Sequence, residues 1–311
     1  MATSKRKIII DCDAGIDDAQ AIMIALTQEV DILGITCTSG NVDVDQVCKN
    51  VLKTLEACGR TDIPVYKGAH RPILGTSFDK PEYHGKDGLG DMPDLKDPDM
   101  NLLKETHAVQ ALLQLVNQNP GEVVIIALGP LSNIALASNM DAGFFTKVKE
   151  IYLMGGCVYG KGNHWVSAEF NFGADPEAAY IVLNEKNNCP VSLMSWEACL
   201  DHVLEWEFYD RYVGTGTKKA EFMKKISSKI KEYEGDGPFI TCDPFPICAA
   251  LQPQIVLKEK LVYATVELKG GFTRGQMVVD WYGLLKKDSN VRLLEKLDLE
   301  LFMAMMLHSV K

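Results

Sequence analysis

Short runs of apolar, often β-branched residues recur along the chain, at residues 7–10, 30–37, 122–128, 150–156 and 189–195. Between them, segments such as 43–59 and 176–188 place apolar residues three and four positions apart, which is typical of amphipathic helices. Strands of near-continuous apolar character that alternate with helices indicate βαβ units around a parallel sheet buried on both faces. We therefore predict a doubly wound α/β fold with a mostly parallel central sheet and flanking helices.

Nothing in the composition divides the 311 residues into separate units, because no linker rich in Pro, Ser or Gly interrupts them. We expect residues 1–311 to form a single domain. Gly59 is a plausible helix stop. The polar segment 78–102, rich in Gly, Pro and Asp, is too long for an ordinary connection, and loops of this kind are usually functional or disordered.

The charge balance argues against two classes of partner. A formal net charge of -10 and a pI near 5.2 disfavour binding to nucleic acid and to anionic membrane surfaces. The apolar run after the basic start is too short for a signal peptide, and no stretch is long enough to span a bilayer. The nine cysteines are odd in number and form no CxxC pair, which fits reduced thiols and a cytoplasmic protein.

Four carboxylates are crowded at the end of the first predicted strand: Asp11, Asp13, Asp17 and Asp18. In open α/β sheets the ligand site lies at the carboxyl ends of the strands. Like charges in close contact need a cation among them, and oxygen ligands without paired His or Cys suit calcium or magnesium. The structural alternative is that Asp17 and Asp18 only occupy the favourable first turn of a helix while Asp11 caps a neighbouring group.

Two nucleotide-binding classes are disfavoured because neither GxGxxG nor GxxxxGK[ST] occurs, so the sheet is Rossmann-like without a dinucleotide fingerprint. A DxD phosphatase of the haloacid-dehalogenase-like group begins similarly. In such an enzyme the first Asp attacks phosphorus, and the two extra acids in "DCDAGIDD" would repel a phosphate dianion. This phosphatase stays a less favoured alternative.

Several motifs, in order from residue 7 to about 281, carry a resemblance to one family: "DCDAGIDDA", "GNVDVDQVCKN", "GRTDIPVYKGA", "ALGPLSNIALA", "LMGG", "AEFNFGADPEAA" and "RGQMVVDW". Together they resemble the inosine-uridine-preferring nucleoside hydrolases. The resemblance implies hydrolysis of the N-glycosidic bond of a ribonucleoside to ribose and a free base. It also implies a bound calcium ion, Ca2+, and a homodimer or homotetramer.

The same resemblance assigns roles to particular residues. It implies that Asp13 is both metal ligand and general base, and that Asp18, Asp243 and the backbone carbonyl of Leu128 are further metal ligands. The residues it implies for ribose binding are Asp17, Asn41, Asn163, Glu169 and Asn171. It places His84 in a loop near the nucleoside, and we take His84 as a candidate catalytic residue. The chemistry agrees, since Asn and Glu can satisfy ribose hydroxyls and nearby carboxylates stabilise a ribosyl oxocarbenium.

Three assignments have structural alternatives. Residues 163–171 could be a surface loop ending in a helix N-cap, His84 could be a solvated loop residue, and Asp243 could belong to a turn. We expect residues 217–235 to form one exposed amphipathic helix. Trp196 and Glu197 follow a predicted strand, but the sequence suggests no role for them.

Cys242 is the main departure, because many relatives carry His at this position and that His is proposed to protonate the leaving base. A thiol with a pKa near 8.5 serves this purpose less well than an imidazole. Purines can be activated by protonation at N7, so we favour purine nucleosides such as inosine and guanosine. A noncatalytic nucleoside-binding paralogue is the alternative, although retention of Asp13, Asp17, Asp18 and Asp243 argues against it.

Overall fold

The computed structural model describes residues 5–75, 80, 82–185 and 189–311. Within this part of the chain, ten strands belong to one sheet. They are β1 (Arg6–Cys12), β2 (Val30–Cys37), β3 (Val65–Lys67), β4 (Leu103–Lys104), β5 (Val123–Ala127), β6 (Glu150–Met154), β7 (Val191–Met194), β8 (Val256–Val266), β9 (Met277–Asp280) and β10 (Val291–Leu297).

The strand order is β4-β3-β2-β1-β5-β6-β7-β10-β8-β9. All pairings from β4 to β10 are parallel, whereas β8 pairs antiparallel with both β10 and β9. This order confirms the predicted doubly wound, mostly parallel sheet. The chain winds from β1 toward β4 and then in the other direction from β5, so the topological switch lies between β1 and β5, where such folds bind ligands.

Helices cover the sheet on both sides. They are α1 (Ile16–Leu26), α2 (Val44–Ala57), α3 (Ala108–Gln118), α4 (Ser132–Met140), α5 (Phe144–Lys147), α6 (Phe170–Ala174), α7 (Pro176–Asn184), α8 (Trp196–Leu200), α9 (Trp206–Val213), α10 (Lys218–Ile226), α11 (Ile230–Glu234), α12 (Pro244–Leu251) and α13 (Leu299–Ser309). Short 3-10 turns occupy Met100–Leu102 and Pro253–Ile255. Among these helices, none has both the length and the apolar character required to cross a membrane.

The first strand shows why the apolar runs are continuous. Ile8 and Ile10 pack into one hydrophobic core with α1, α2 and α12, while Ile9 packs into a second core with α3, α4 and α7 on the opposite face. All three side chains are fully buried. Because a strand turns alternate side chains to opposite faces, burial on both sides requires an apolar residue at nearly every position.

Two expectations about local structure meet different outcomes. Residues 217–235 do not form one exposed helix: the chain breaks between α10 and α11, and Phe222, Met223 and Ile226 are buried. Gly59 does act as a helix stop: α2 ends at Ala57, Cys58 caps it, and Gly59 follows with the left-handed φ of 66° that glycine tolerates best. Of the long polar segment 78–102, residues 78, 79 and 81 lie outside the described part of the chain.

Candidate active site

A cavity of about 470 Å³ opens at the carboxyl ends of β1, β5, β6 and β7, next to the topological switch. Ten of the residues singled out from the sequence line it: Asp13, Asp17, Asn41, His84, Leu128, Asn163, Glu169, Asn171, Cys242 and Asp243. Asp18 is fully buried in the first turn of α1. The fold therefore brings together residues that lie up to 230 positions apart in the sequence.

Asp13 follows β1 directly and is almost completely buried. The backbone N–H of Asn41 donates to its Oδ2 at 2.8 Å. A Cβ at Gly40 would lie 1.9 Å from the same oxygen, so this close approach requires glycine. Burial, followed by the negative charge of Asp18, raises the pKa of Asp13 well above its usual range.

Asp17, Asp18 and Asp243 each place a carboxylate oxygen within 4.8 Å of the others. Oδ2 of Asp18 accepts the Gly15 N–H at 2.7 Å, so one oxygen of this carboxylate has the structural role expected in the first turn of a helix. Its buried Oδ1 has no hydrogen-bond partner among the described residues. Burial and the charge of Asp17 raise the pKa of Asp18 to about 7, and burial with the same neighbour raises that of Asp243 well above its usual range.

This arrangement fits a divalent cation. A buried carboxylate oxygen without a partner is costly, and a hard cation satisfies it while removing the repulsion among the three carboxylates. The three carboxylates that come within 4.8 Å of one another are those of Asp17, Asp18 and Asp243. The family resemblance instead implied Asp13, together with Asp18 and Asp243, as the carboxylate ligands. Asp13 lies near enough for its pKa to respond to both Asp17 and Asp18.

Asn171 and Leu128 are in direct contact at the cavity wall. The Nδ2 group of Asn171 donates to the Leu128 carbonyl at 2.8 Å and to the Met154 carbonyl at 3.2 Å. These two carbonyls stand at the ends of the adjacent strands β5 and β6. A carbonyl oxygen has two lone pairs, so Leu128 keeps one acceptor site after this bond.

Glu169 is both a helix cap and a cavity residue. Its carboxylate accepts N–H groups of Asn171 at 2.8 Å, Gly156 at 2.7 Å and Phe172 at 3.1 Å. Burial nevertheless raises its pKa to about 7. Asn163 also caps locally, because its Oδ1 accepts the Phe170 N–H at 2.9 Å. Residues 163–171 thus do contain the helix N-cap that the structural alternative expected. The side chains of Asn163 and Glu169 nevertheless also line the cavity.

His84 is buried rather than solvated, so the structural alternative for this residue is wrong. Its Nδ1 accepts the Ile16 N–H at 3.2 Å, and its Nε2 lies 3.5 Å from Oδ1 of Asp17. Burial lowers the pKa of His84, and the charge of Asp17 opposes that shift. The imidazole is therefore predominantly neutral at neutral pH, with its proton on Nε2 facing Asp17.

Cys242 lines the cavity beside Asp243, as the sequence suggested. Its thiol is hydrogen-bonded with Cys199, and this contact, followed by burial, raises the pKa of Cys242 well above its usual range. A thiol with such a pKa holds its proton tightly, which makes it a weak acid toward a leaving base.

Several further residues line the cavity to which the sequence analysis assigned no role: Tyr83, Met154, His164, Phe170, Trp196, Tyr233, Glu234, Ile240 and Thr241. Trp196 begins α8 immediately after β7, so its position at a strand end was an available signal. Its neighbour Glu197 has a structural role, since it accepts the N–H groups of Val158 and Tyr159 at 2.8 and 2.9 Å. His202 is structural too, and its Nε2 accepts the Leu297 N–H at 2.9 Å.

We call Asp13, Asp17, Asp18, Asp243, Glu169 and Asn171 the floor of the cavity; all of them are buried except Asp17, which is half-buried. The more aromatic set Tyr83, Trp196, Tyr233, Glu234 and Ile240 is called the rim. Asp18 is 0% exposed and Tyr233 is 67% exposed, which justifies the two names. The floor concentrates negative charge, and the rim supplies aromatic surface on which a flat ligand can stack.

Comparison with known proteins agrees with this geometry. Residues 8–304 match the family model described as inosine-uridine preferring nucleoside hydrolase. The chain is 32% identical to the inosine-uridine preferring nucleoside hydrolase of Leishmania major, with 98% of each chain covered. It is 33% identical to the pyrimidine-specific ribonucleoside hydrolase RihB of Escherichia coli, covering 96% of this chain and 95% of that one.

Solved structures give the same result. An inosine-guanosine nucleoside hydrolase superposes with a TM-score of 0.92 at 35% identity, and a purine-preferring ribonucleoside hydrolase from Gardnerella vaginalis with 0.88 at 27% identity. Each comparison covers 98% of both chains. The phosphatase alternative therefore has no support. The chain is an enzyme that belongs to the inosine-uridine preferring nucleoside hydrolase family.

Proposed function

We propose that this protein hydrolyses ribonucleosides to ribose and free base with a calcium ion held at the floor, and that it favours purine nucleosides such as inosine and guanosine. The observation that carries the proposal is the buried carboxylate cluster at the switch point, in which Asp18 Oδ1 has no hydrogen-bond partner among the described residues. Such a cluster serves both a hard cation and a cationic transition state.

The ligands proposed for calcium are the carboxylates of Asp13, Asp18 and Asp243 and the carbonyl of Leu128. When bound, the ion supplies Lewis acidity, which lowers the pKa of a coordinated water. Asp13 accepts the proton as general base, a role suited to a carboxylate whose pKa is raised above its usual range by burial. The negative charge of the floor then stabilises the ribosyl oxocarbenium that forms as the N-glycosidic bond breaks.

We assign ribose recognition to Asp17, Asn41, Asn163, Glu169 and Asn171. Because Asn171 uses its Nδ2 group on two strand-end carbonyls, its Oδ1 is the atom available to accept a ribose hydroxyl. His84, with its Nε2 facing Asp17, is assigned to hold that carboxylate in position. These polar groups fix the sugar, while the base stacks against the rim.

The preference for purines is argued from Cys242 and the rim. A tightly protonated thiol offers little acid catalysis, so a base that gains its own proton from solvent is the better leaving group. Trp196 and Tyr233 supply stacking surface for a two-ring base. Named relatives include both purine and pyrimidine enzymes, so overall similarity does not decide the preference.

A nucleoside panel tests this proposal. Inosine, guanosine, adenosine, uridine and cytidine are each incubated with the protein and calcium, and free ribose is measured. We expect ribose from all substrates that are cleaved, with kcat/KM greatest for inosine and guanosine. Ribose release mainly from uridine or cytidine would overturn the purine preference. Binding without any ribose release would favour the noncatalytic alternative.

We propose in addition that residues 1–311 form one domain, supported by the single sheet, and that this domain assembles as a homodimer or homotetramer. Phe272, Tyr282 and Leu284 are large apolar side chains that remain largely exposed, which is typical of an interaction surface. The nine cysteines are free thiols, which supports a reducing, cytoplasmic location. Sedimentation velocity measures the assembly, and a monomer would contradict it.

A further inference from the structure

Two segments distant in sequence meet at the rim of the cavity. The hydroxyl of Tyr83 donates to Oε1 of Glu234 in α11 at 2.6 Å. The Tyr83 ring also packs edge-on against Tyr233, with centroids 4.9 Å apart at 85°. All three residues line the cavity. A short hydrogen bond to a carboxylate in a partly buried setting is stronger than one between neutral groups.

The contacts of Tyr83 continue inward to the floor. Its ring packs edge-on against His84, again at 4.9 Å and 85°. His84 is held from the other side by the Ile16 N–H at 3.2 Å, and its Nε2 faces Asp17 at 3.5 Å. A continuous path of direct contacts therefore runs from Glu234 through Tyr83 and His84 to Asp17.

We propose that Tyr83 and Glu234 form a positioning pair that sets His84 against Asp17, and so determines how the ribose half of the substrate is held, whatever the base. This inference rests on the proposed nucleoside hydrolysis and names the part of the substrate on which the pair acts. The path ends on a floor carboxylate assigned to the sugar, which distinguishes the pair from a contact that reads the base.

The same two segments are joined by a second kind of contact that provides a matched control. Lys225 pairs with Asp94 at 2.6 Å and Lys229 with Asp91 at 3.0 Å; none of the four lines the cavity, and all are exposed except Asp91, which is half-buried. Exposed ion pairs of this kind contribute little to stability. The variant Asp94→Asn therefore removes a link between the segments without altering the path from Glu234 to Asp17.

The experiment compares Tyr83→Phe, Glu234→Ala, Glu234→Gln, the double variant Tyr83→Phe/Glu234→Ala and the control Asp94→Asn. Substrates are inosine, uridine and p-nitrophenyl riboside, and circular dichroism with thermal melting verifies the fold. We expect Tyr83→Phe to lower kcat/KM about 10-fold, the scale of one hydrogen bond to a charged group, and by the same factor for every substrate cleaved. Glu234→Gln should recover most of the loss seen in Glu234→Ala, because it retains an acceptor.

The pairing itself is tested by additivity. The double variant should be no worse than the more damaged single variant, since residues in one hydrogen bond are energetically coupled. Asp94→Asn should stay within about twofold of the parent, as expected for an exposed ion pair. Losses that differ strongly between inosine and uridine would show that the pair contacts the base and would overturn the proposal. Fully multiplicative losses, or an equal loss in Asp94→Asn, would also overturn it.

Calorimetric binding of D-ribose separates this proposal from the proposed function. Absence of ribose release by the parent protein would contradict nucleoside hydrolysis, yet binding could still be measured. We expect Tyr83→Phe to weaken D-ribose binding by about the same 10-fold factor. Unchanged D-ribose affinity in a folded Tyr83→Phe protein would overturn the positioning role.

Discussion

The floor and the rim of the cavity are built in different ways. Floor residue Asp13 follows β1 directly, and Asn171 in α6 reaches the carbonyls at the ends of β5 and β6, so the polar atoms of both are bonded to backbone groups of other strands or loops. Rim residues such as Tyr83 and Tyr233 come from a loop and a five-residue helix, and contact one another mainly through side chains. The floor is thus held mainly by backbone groups of the fold, whereas the rim is held by side chains and is linked to the floor through Tyr83 and His84.

This difference assigns separate tasks to the two regions. Relatives named for pyrimidines and relatives named for purines both match the chain along nearly its whole length, so the fold is compatible with either base. Ribose and the bond to be broken are common to all nucleosides, and the base is not. We infer that the floor carries the chemistry and that the rim residues Trp196 and Tyr233 carry the selectivity for the base, while Tyr83 and Glu234 act on the sugar side.

The largest effect is expected from removing the cation. Exhaustive chelation should abolish ribose release from every substrate, because the floor carboxylates would then hold protons instead of a cation. Adding calcium should restore activity. Ribose assays before and after chelation measure this, and full activity in metal-free protein would contradict the assignment of the floor to metal-assisted hydrolysis.

Replacing the proposed base comes next. Asp13→Asn should lower kcat by roughly 10²-fold or more for purine and pyrimidine nucleosides alike, the usual scale for loss of general base assistance. Asp31→Asn, at an exposed position of β2, is the matched control and should be neutral. Steady-state kinetics with a check of the fold decide the matter, and near-normal turnover in Asp13→Asn would show that another group is the base.

A smaller effect is expected at Cys242. Cys242→Ala should cost purine nucleosides less than the roughly 10²-fold loss typical of an essential acid, because its raised pKa makes the thiol a weak donor. p-Nitrophenyl riboside needs no protonation of its leaving group and should be cleaved normally. Selective loss of inosine cleavage by that large factor, with the p-nitrophenyl substrate unaffected, would identify the thiol as the acid after all.

The smallest effect concerns stability and pH. The pKa of Asp18 is about 7 in the folded protein against an ordinary 3.8, so between these values the folded state keeps a proton that the unfolded chain has released. This group therefore lowers the free energy of unfolding of the metal-free protein as pH rises from about 4 to about 7. Calcium displaces that proton, so it should raise Tm by a few degrees more at about pH 7.5 than at about pH 5.5. An equal shift at both pH values would argue against calcium binding at Asp18.

The sequence predicted the floor far better than the rim, for a physical reason. Carboxylates such as Asp13 follow an apolar run directly, and parallel strands bring their carboxyl ends to one edge, so position in the sequence predicts position in space. Tyr83 and Glu234 meet only through the packing of a long loop against α11, which no local pattern reveals. Strands β8 and β9 were not predicted either, because their partly exposed residues lack the continuous apolar runs of the central strands.

The most direct test of the account is the fate of oxygen during inosine cleavage. The calcium-loaded protein is incubated with inosine in water enriched in ¹⁸O, without phosphate, and the products are analysed at early times by mass spectrometry. Because water attacks the anomeric carbon at the floor, we expect equal amounts of hypoxanthine and ribose, with one ¹⁸O in the ribose at a level above its exchange control. Absence of ribose, or label in the base instead of the sugar, would contradict the account.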